Sequence, residues 1–441
     1  MRVKRATISP AFILAAILGA LVLAAPSAAA VRVKEFVLAN PGEPRSVARA
    51  PDGSIWFTSD FTGNKIGRVS TGGIVSEFPL PRPRSAPDTI VAGPDGNMWF
   101  TERDGNRIGR ITPQGAITEF PLPTPGSRPR GMTVGPDGAL WFTEFGRSRI
   151  GRITTGGAIT EFAAGISPGA APLSITRGPD GALWFTEPAI DRIGRITTAG
   201  VVVEHPGPSN LSGPEQIALG ADGRMWFTEE DGDRIGRITR SGAVREFVSG
   251  IRPGANPFGI TRGTDDAMWF TEFAGDRIAR ITPAGIVTEY RIPAGSEAMG
   301  IVAAPGRRLW VAAFGRNRIL RVKPPPPPAV DASIAYSFTT AGSTTSFTRL
   351  VVSDVPRYAR VELRCKGGGC RKKRIKLARR SRMNLRSRVP DLRSGARLEV
   401  RVRARGLSTQ VRRFRMRSGK VPRVRDLCVP PKSRKTRSRC G

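Results

Sequence analysis

Between residues 31 and 323 the apolar residues fall in runs of four to seven, rich in Ile, Thr, Trp and Phe, and Gly, Pro or Asp interrupts them every 8–12 residues. Short β-branched and aromatic runs with such punctuation predict strands joined by tight turns. Asp95-Gly96, Asp137-Gly138 and Asp180-Gly181 supply the positive φ that hairpins need. The pattern also repeats. Tryptophan occurs at positions 56, 99, 141, 184, 226, 269 and 310 and nowhere else, at intervals of 41–43 residues. Trp99-Phe100-Thr101-Glu102, Ile108-Gly109-Arg110-Ile111 and Ile117-Thr118-Glu119-Phe120 show the whole unit, a turn followed by W-F-T-E, I-G-R-I and I-T-E-F. A fixed period near 42 marks a repeat architecture. Four short strands in that length measure one propeller blade, and face-to-face stacking of blades explains why both sides of W-F-T are apolar. The side-chain-free glycine of I-G-R is expected to admit a neighbouring Trp ring.

The outer strands provide an independent count. Glu77-Phe78, Glu119-Phe120, Glu161-Phe162, Glu204-His205, Glu246-Phe247 and Glu289-Tyr290 follow the first six tryptophans, none follows Trp310, and Glu35-Phe36 precedes them all. The seventh blade therefore lacks an outer strand that residues 31–38 can provide, closing the ring and removing its open edges. The expected fold is all-β: a seven-bladed propeller over residues 31–323, closed by its N-terminal strand.

Five prolines, Pro324–Pro328, form a stiff spacer within a linker placed at 324–330. Beyond it the alternation resumes in Ala359–Arg364 and Leu398–Arg403, with Ile334–Phe338 and Thr348–Ser353 as further strands. Residues 331–441 are read as a small β-sandwich-like domain containing all four cysteines. By proximity, Cys365 pairs with Cys370 and Cys428 with Cys440; four cysteines allow three pairings, and their spacing matches no strong zinc signature.

Charge changes this picture. The chain carries 70 Lys and Arg against 36 Asp and Glu, and residues 324–441 alone hold a net +26. Such a surface attracts anions, while its few aromatics (Phe338, Phe347, Phe414, Tyr336 and Tyr358) supply base stacking poorly. An anionic envelope polymer is the expected partner, and sequence-specific nucleic-acid reading is not. Arg2, Lys4 and Arg5 precede a 15-residue apolar run, Ala11–Ala25, and a small-residue end at Ala30. This reads as a cleaved export signal, residues 1–30, because the run is short of the roughly 20 residues that span a bilayer. A secreted or envelope-associated monomer with oxidised cysteines is expected, without a membrane span after cleavage. One histidine, His205, excludes any mechanism that needs two imidazoles.

W-F-T-E followed by I-G-R-I-T and I-T-E-F-P-L-P, recurring over residues 31–323, resembles the streptogramin lyases (the virginiamycin B lyase family). The resemblance implies a seven-bladed propeller that opens a cyclic ester by elimination, using a histidine base and magnesium. The tail resembles, more loosely, a basic β-domain at the ends of exported actinobacterial proteins. Family motifs place a histidine in blade six within R-P-H-A-I-T and a glutamate and histidine in blade seven within E-P-H-G-I. Here those stretches are Asn256-Pro257-Phe258-Gly259-Ile260-Thr261 and Glu297-Ala298-Met299-Gly300-Ile301, and Phe314 stands where a second metal-binding Glu is implied. Only Glu297 survives as a weak metal ligand. Neither Phe258 nor Met299 can accept a proton, so the lyase reaction is expected to be lost. No cofactor is expected; magnesium enters only if that activity is retained. His205 replaces the aromatic of an outer strand and reads as a structural surface histidine.

The position equivalent to Phe258 and Met299 is Arg45, Asp88, Arg130, Leu173 and Glu215 in blades one to five. The residue after each W-F-T-E is Asp60, Arg103, Phe145, Pro188, Glu230, Phe273 and Phe314. If both sets line one mouth, a charged side faces an apolar wall, suiting a small amphipathic or peptide-like ligand. Glu215 and Glu230 are the catalytic pair of an alternative reading, a carbon–oxygen lyase or lactone-acting enzyme using a different residue set; a third reading, a purely structural interaction scaffold, is favoured if Arg–Asp pairs plug the mouth. The bland expectation for the two glutamates is solvation, or pairing with Arg103 or Arg130. The recurring Glu102, Glu144, Glu187, Glu229 and Glu272 read as structural, pairing with the I-G-R arginine or capping a turn.

Overall fold

The computed structural model describes residues 31–39, 42–60, 63–207, 212–325 and most of 333–429, with gaps at 342, 354, 356–358, 371–373, 378–382, 404–406 and 419. Residues 1–30, expected to be an export signal, most of the proline spacer and Cys440 lie outside the described residues.

Seven four-stranded antiparallel sheets follow one another between residues 32 and 323. Blade one runs from Pro44 to Pro79, two from Pro87 to Pro121, three from Pro129 to Phe162 and four from Ile175 to Pro206. Blade five covers Pro214–Phe247, six Pro257–Arg291 and seven Ala298–Lys323. Arg32–Val37 pairs antiparallel with Arg318–Lys323 as the fourth strand of blade seven. Each innermost strand lies against that of the next blade, and blade seven's against blade one's, so the ring closes as the outer-strand count required.

The second strand of blades one to six, such as Met98–Glu102, is buried at every position because it faces a neighbouring blade on both sides. Each tryptophan stacks on the outer-strand aromatic of its own blade, for example Trp99 on Phe120 with centroids 5.5 Å apart, and Trp184 on His205 at 5.4 Å. In blades two to six the indole N–H donates to the turn aspartate, Trp141 to Asp137 at 3.0 Å, whereas Trp56 donates to the Ser54 hydroxyl. The same aspartate accepts the I-G-R arginine at 2.7 Å in Arg152–Asp137, Arg195–Asp180 and Arg280–Asp265. One correction follows: the I-G-R glycine admits not a neighbouring tryptophan but the W-F phenylalanine of its own blade. A Cβ on Gly109 would lie 2.1 Å from the Phe100 ring.

The threonine of W-F-T fastens blades together. Thr143 accepts the Gly131 N–H of its own innermost strand at 2.8 Å and donates to the Leu173 carbonyl of blade four at 2.9 Å. Thr58, Thr101, Thr186, Thr228 and Thr271 donate across their interfaces in the same way, to the carbonyls of Asp88, Arg130, Glu215, Phe258 and Met299. Blade seven has Ala312 at this position, so the closing interface with blade one lacks the fastener.

The tail comprises two sheets. Ser333–Ala341, Thr344–Ser353 and two short strands form one; Arg374–Lys376, Arg360–Lys366, Arg397–Arg403, Thr409–Arg417 and Lys420–Val429 form the other in that spatial order. Leu350, Val352, Val361, Leu398, Val400 and Phe414 are fully or almost fully buried in their shared core. Cys365 and Cys370 are disulfide-bonded. The Cys428–Cys440 pairing falls outside the described residues. No helix among the described residues is long and apolar enough to cross a membrane.

Candidate functional site

Apart from blade four's, every innermost strand opens with a register shift two residues wide. Those residues are unpaired within their own sheet, and a bulge bends the strand and re-aims its side chains. Arg45, Asp88, Arg130, Glu215, Phe258 and Met299 each occupy the first bulged position, and Leu173 is equivalent in blade four. The ring read from the repeat is therefore a ring in space.

Its charged half is tightly knit. Asp88 lies 3.1 Å from Arg45 and 3.2 Å from Arg130, with Arg103 at 4.0 Å. Asp60 lies 3.5 Å from Arg103 and 3.8 Å from Arg45. None of these five side chains is more than 17% exposed. Burial opposes ionisation of Asp88, but the three arginines outweigh it and hold its carboxyl below the ordinary range. Arg45 also stacks over Phe258 at 5.8 Å and Arg130 over Phe145 at 5.1 Å, so aromatic faces meet the guanidiniums on two sides.

Glu215 and Glu230 are half-buried, and the Arg130 charge acts on Glu215. They hydrogen-bond each other. Burial, then the Glu230 charge, pushes the Glu215 carboxyl up to about 8, although Arg130 and Arg45 act the other way. Burial and the adjacent Asp231 raise Glu230 as well. Two carboxyls in that environment disfavour each other's ionisation.

The remaining candidates are more peripheral. Phe273 and Phe314 are half-buried at the strand ends of blades six and seven, and Pro188 opens a single 3-10 turn. Met299 is 8% exposed and contributes its carbonyl to Thr271. Glu297 is exposed, with φ of +42°, and its carboxylate folds over Gly315, where a Cβ would lie 2.8 Å from it. No group of three or more His, Cys, Asp or Glu among the described residues is arranged to hold a metal. A hard magnesium ion needs several oxygen ligands, and Glu297 beside Phe314 and Met299 does not fit it.

His205 lies far from this cluster, on the outermost strand of blade four, half-buried against Trp184 and Gly242. Burial, then Arg195, lowers its pKa. The five W-F-T-E glutamates are 0% exposed and do not pair with the I-G-R arginines, which serve the turn aspartates. Burial pushes Glu102 and Glu144 up to about 7 and Glu187, Glu229 and Glu272 up to about 8, with an outer-strand glutamate adding its charge. A Ser127 hydroxyl donates to Glu144 at 2.7 Å. Sequence reasoning marked these glutamates as structural but not their burial, and it missed the threonine fasteners, whose regular recurrence was the available signal.

A closed seven-bladed ring built on this repeat, with bulged inner strands, defines a streptogramin-lyase-type propeller. The Virginiamycin B lyase family matches residues 27–166 and 164–326, and the chain belongs to it. The virginiamycin B lyase from Staphylococcus aureus is similar at 39% identity and a TM-score of 0.64, over 66% of this chain and 99% of that one. A structure described as a streptogramin B lyase gives 37% and 0.63 over 66% and 97%. A catalytically inactive variant of the Staphylococcus aureus enzyme with quinupristin is similar at 39% identity and 0.63, over the same 66% and 99%. The virginiamycin B lyase of Bordetella parapertussis is 48% identical over 61 residues, a stretch covering 20% of that protein's length and 14% of this chain.

Proposed function

We propose that this chain is an exported propeller that binds an amphipathic ligand at its mouth without the metal-assisted elimination of its relatives, while its basic tail engages an anionic envelope surface. The observation that carries the reading is the chemistry of the mouth: Phe258, Met299 and Phe314 stand where the resemblance implies two histidines and a glutamate. An elimination needs a base near the working pH, and thioether and phenyl groups offer none. What the mouth offers is the ring faces of Phe145 and Phe258 capped by arginines, and a hydrogen-bonded carboxyl pair. Apolar area with a few convergent polar groups suits a cyclic peptide or depsipeptide. The Cys365–Cys370 bridge is compatible with an oxidising location.

The Glu215–Glu230 pair favours one second reading, a carbon–oxygen lyase with a carboxylate base. A carboxyl raised to about 8 is matched to proton abstraction near neutrality. One experiment separates the two. Quinupristin is incubated with signal-free protein and magnesium, and ring opening is followed by mass spectrometry alongside binding by calorimetry. Binding without ring opening is expected. Ring opening that disappears in Glu215→Gln would establish the second reading, and ring opening lost in Glu297→Gln would restore the family chemistry.

A further inference from the structure

In the tail's five-stranded sheet, Lys366 lies directly opposite Arg397, Arg397 opposite Arg415, and Arg415 opposite Arg423. Four cations thus stand in one row across four adjacent strands, a span of about 15 Å at the ordinary strand spacing. One step along, Arg413 faces Arg425. Five of these six side chains are arginines, and all six line one cavity of ≈ 470 Å³ whose wall includes Gly367 and Gly395.

Like charges directly opposite across a sheet destabilise it. Elsewhere on this sheet the cost is met by carboxylates. Glu362 holds Arg364, Arg374 and Arg403, and Glu399 holds Arg401 and Arg413. Glu362 is held down to about 2: burial acts upward, but the Arg364 and Arg374 bonds and charges outweigh it. Within the row only Arg397 approaches an acid, at 4.0 Å from Glu399. Lys366, Arg415, Arg423 and Arg425 contact no acid among the described residues. The row is also held in place. The Cys365–Cys370 bridge closes the loop carrying Lys366 and Gly367, and Gly395 donates its N–H to the Met416 carbonyl at 3.2 Å.

We infer that this groove binds successive phosphates of a base-free polyol-phosphate polymer; the inference rests on the anionic-surface reading of the tail and gives it a site. Guanidiniums match phosphate oxygens in bidentate geometry, and a row of them suits an anion that repeats along a chain. Nucleic acid fits less well, because stacking would require aromatic platforms. Tyr336, Phe347 and Phe414 are instead stacked edge to face inside the core between the sheets.

The test uses full-length signal-free protein and a synthetic glycerol-phosphate oligomer, with single-stranded DNA of equal charge as comparator, titrated at several salt concentrations. Arg415→Gln with Arg423→Gln should weaken oligomer binding roughly 10- to 100-fold and flatten the salt slope by one to two. Arg349→Gln with Arg386→Gln removes the same charge from exposed positions outside the groove and should change affinity less than about twofold. Equal loss in both pairs would overturn the groove while leaving a diffusely basic tail. No oligomer binding by the unmodified chain would overturn both readings. Tighter binding of DNA through the same arginines would overturn the polymer class. Melting curves confirm that each variant is folded.

Discussion

Thr143 shows how much one hydroxyl does in this ring. It is 0% exposed, accepts from its own blade and donates to the next, so its removal leaves the Gly131 N–H and the Leu173 carbonyl with only their direct bond to each other at 2.9 Å. Thr143→Val keeps the shape and should cost about 0.5–1.5 kcal/mol, read as a loss of cooperative stability in denaturant titration. An unchanged midpoint would mean that the direct Gly131–Leu173 bond satisfies both groups alone. The threonine's role was hidden in the sequence because its partner is 30 residues away in another blade, and only the ring brings them together. The mouth residues were legible for the opposite reason: one register position read seven times gives a ring wherever the repeat closes. Gly109 was half legible. Its lack of a side chain announced a close approach, but the approaching ring belongs to Phe100, and blade six accommodates Ala279 opposite Phe270.

At the scale of the blade, the second and fourth strands together bury one carboxyl per repeat in blades two to six. Glu102, Glu144, Glu187, Glu229 and Glu272 are all raised well above the free value of 4.5, with burial as the leading cause. A folded acid with a raised pKa binds its proton more tightly than the unfolded chain does. Its stabilising contribution is complete below about pH 4.5 and is lost as pH climbs through 7–8. The propeller should therefore melt at least about 5 °C lower at pH 9 than at pH 5.5, with five groups adding in one direction. Glu187→Gln, at a site where Ala170 replaces the serine that serves Glu144, should be nearly neutral at pH 5.5 and stabilising at pH 9. A melting temperature that is flat in both proteins across that range would show these carboxylates ionised and hydrated inside the fold. The repeat announced these residues as structural, but their protonation depends on neighbouring blades sealing both faces.

The complete ring has one interface unlike the others. Six junctions carry the threonine donor, while the junction between blades seven and one has Ala312 in its place. That junction is also where the chain's two ends meet, Arg32–Val37 lying on Arg318–Lys323 with Arg318 bonded to Glu35 at 2.6 Å. Backbones approach closely there, since a Cβ on Gly300 would lie 2.6 Å from the Arg45 carbonyl. Arg45 is the residue that reaches Asp60, Asp88 and Phe258, so the seam without the hydroxyl also carries the hub of the mouth. Local opening should begin here, because this seam lacks a buried bond that the other six carry. Amide exchange at neutral pH should be fastest, among innermost strands, in Pro44–Arg49 and Ala298–Ala304. Ala312→Thr supplies the missing hydroxyl opposite the Arg45 carbonyl and should slow exchange in those two strands several-fold, consistent with about 1 kcal/mol for one buried hydrogen bond. The closing outer strand should slow with them, and the innermost strands of blades three and four should keep their rates. Uniform exchange around the ring, unaltered by Ala312→Thr, would mean that the terminal strand, rather than the inner junction, governs how the propeller opens.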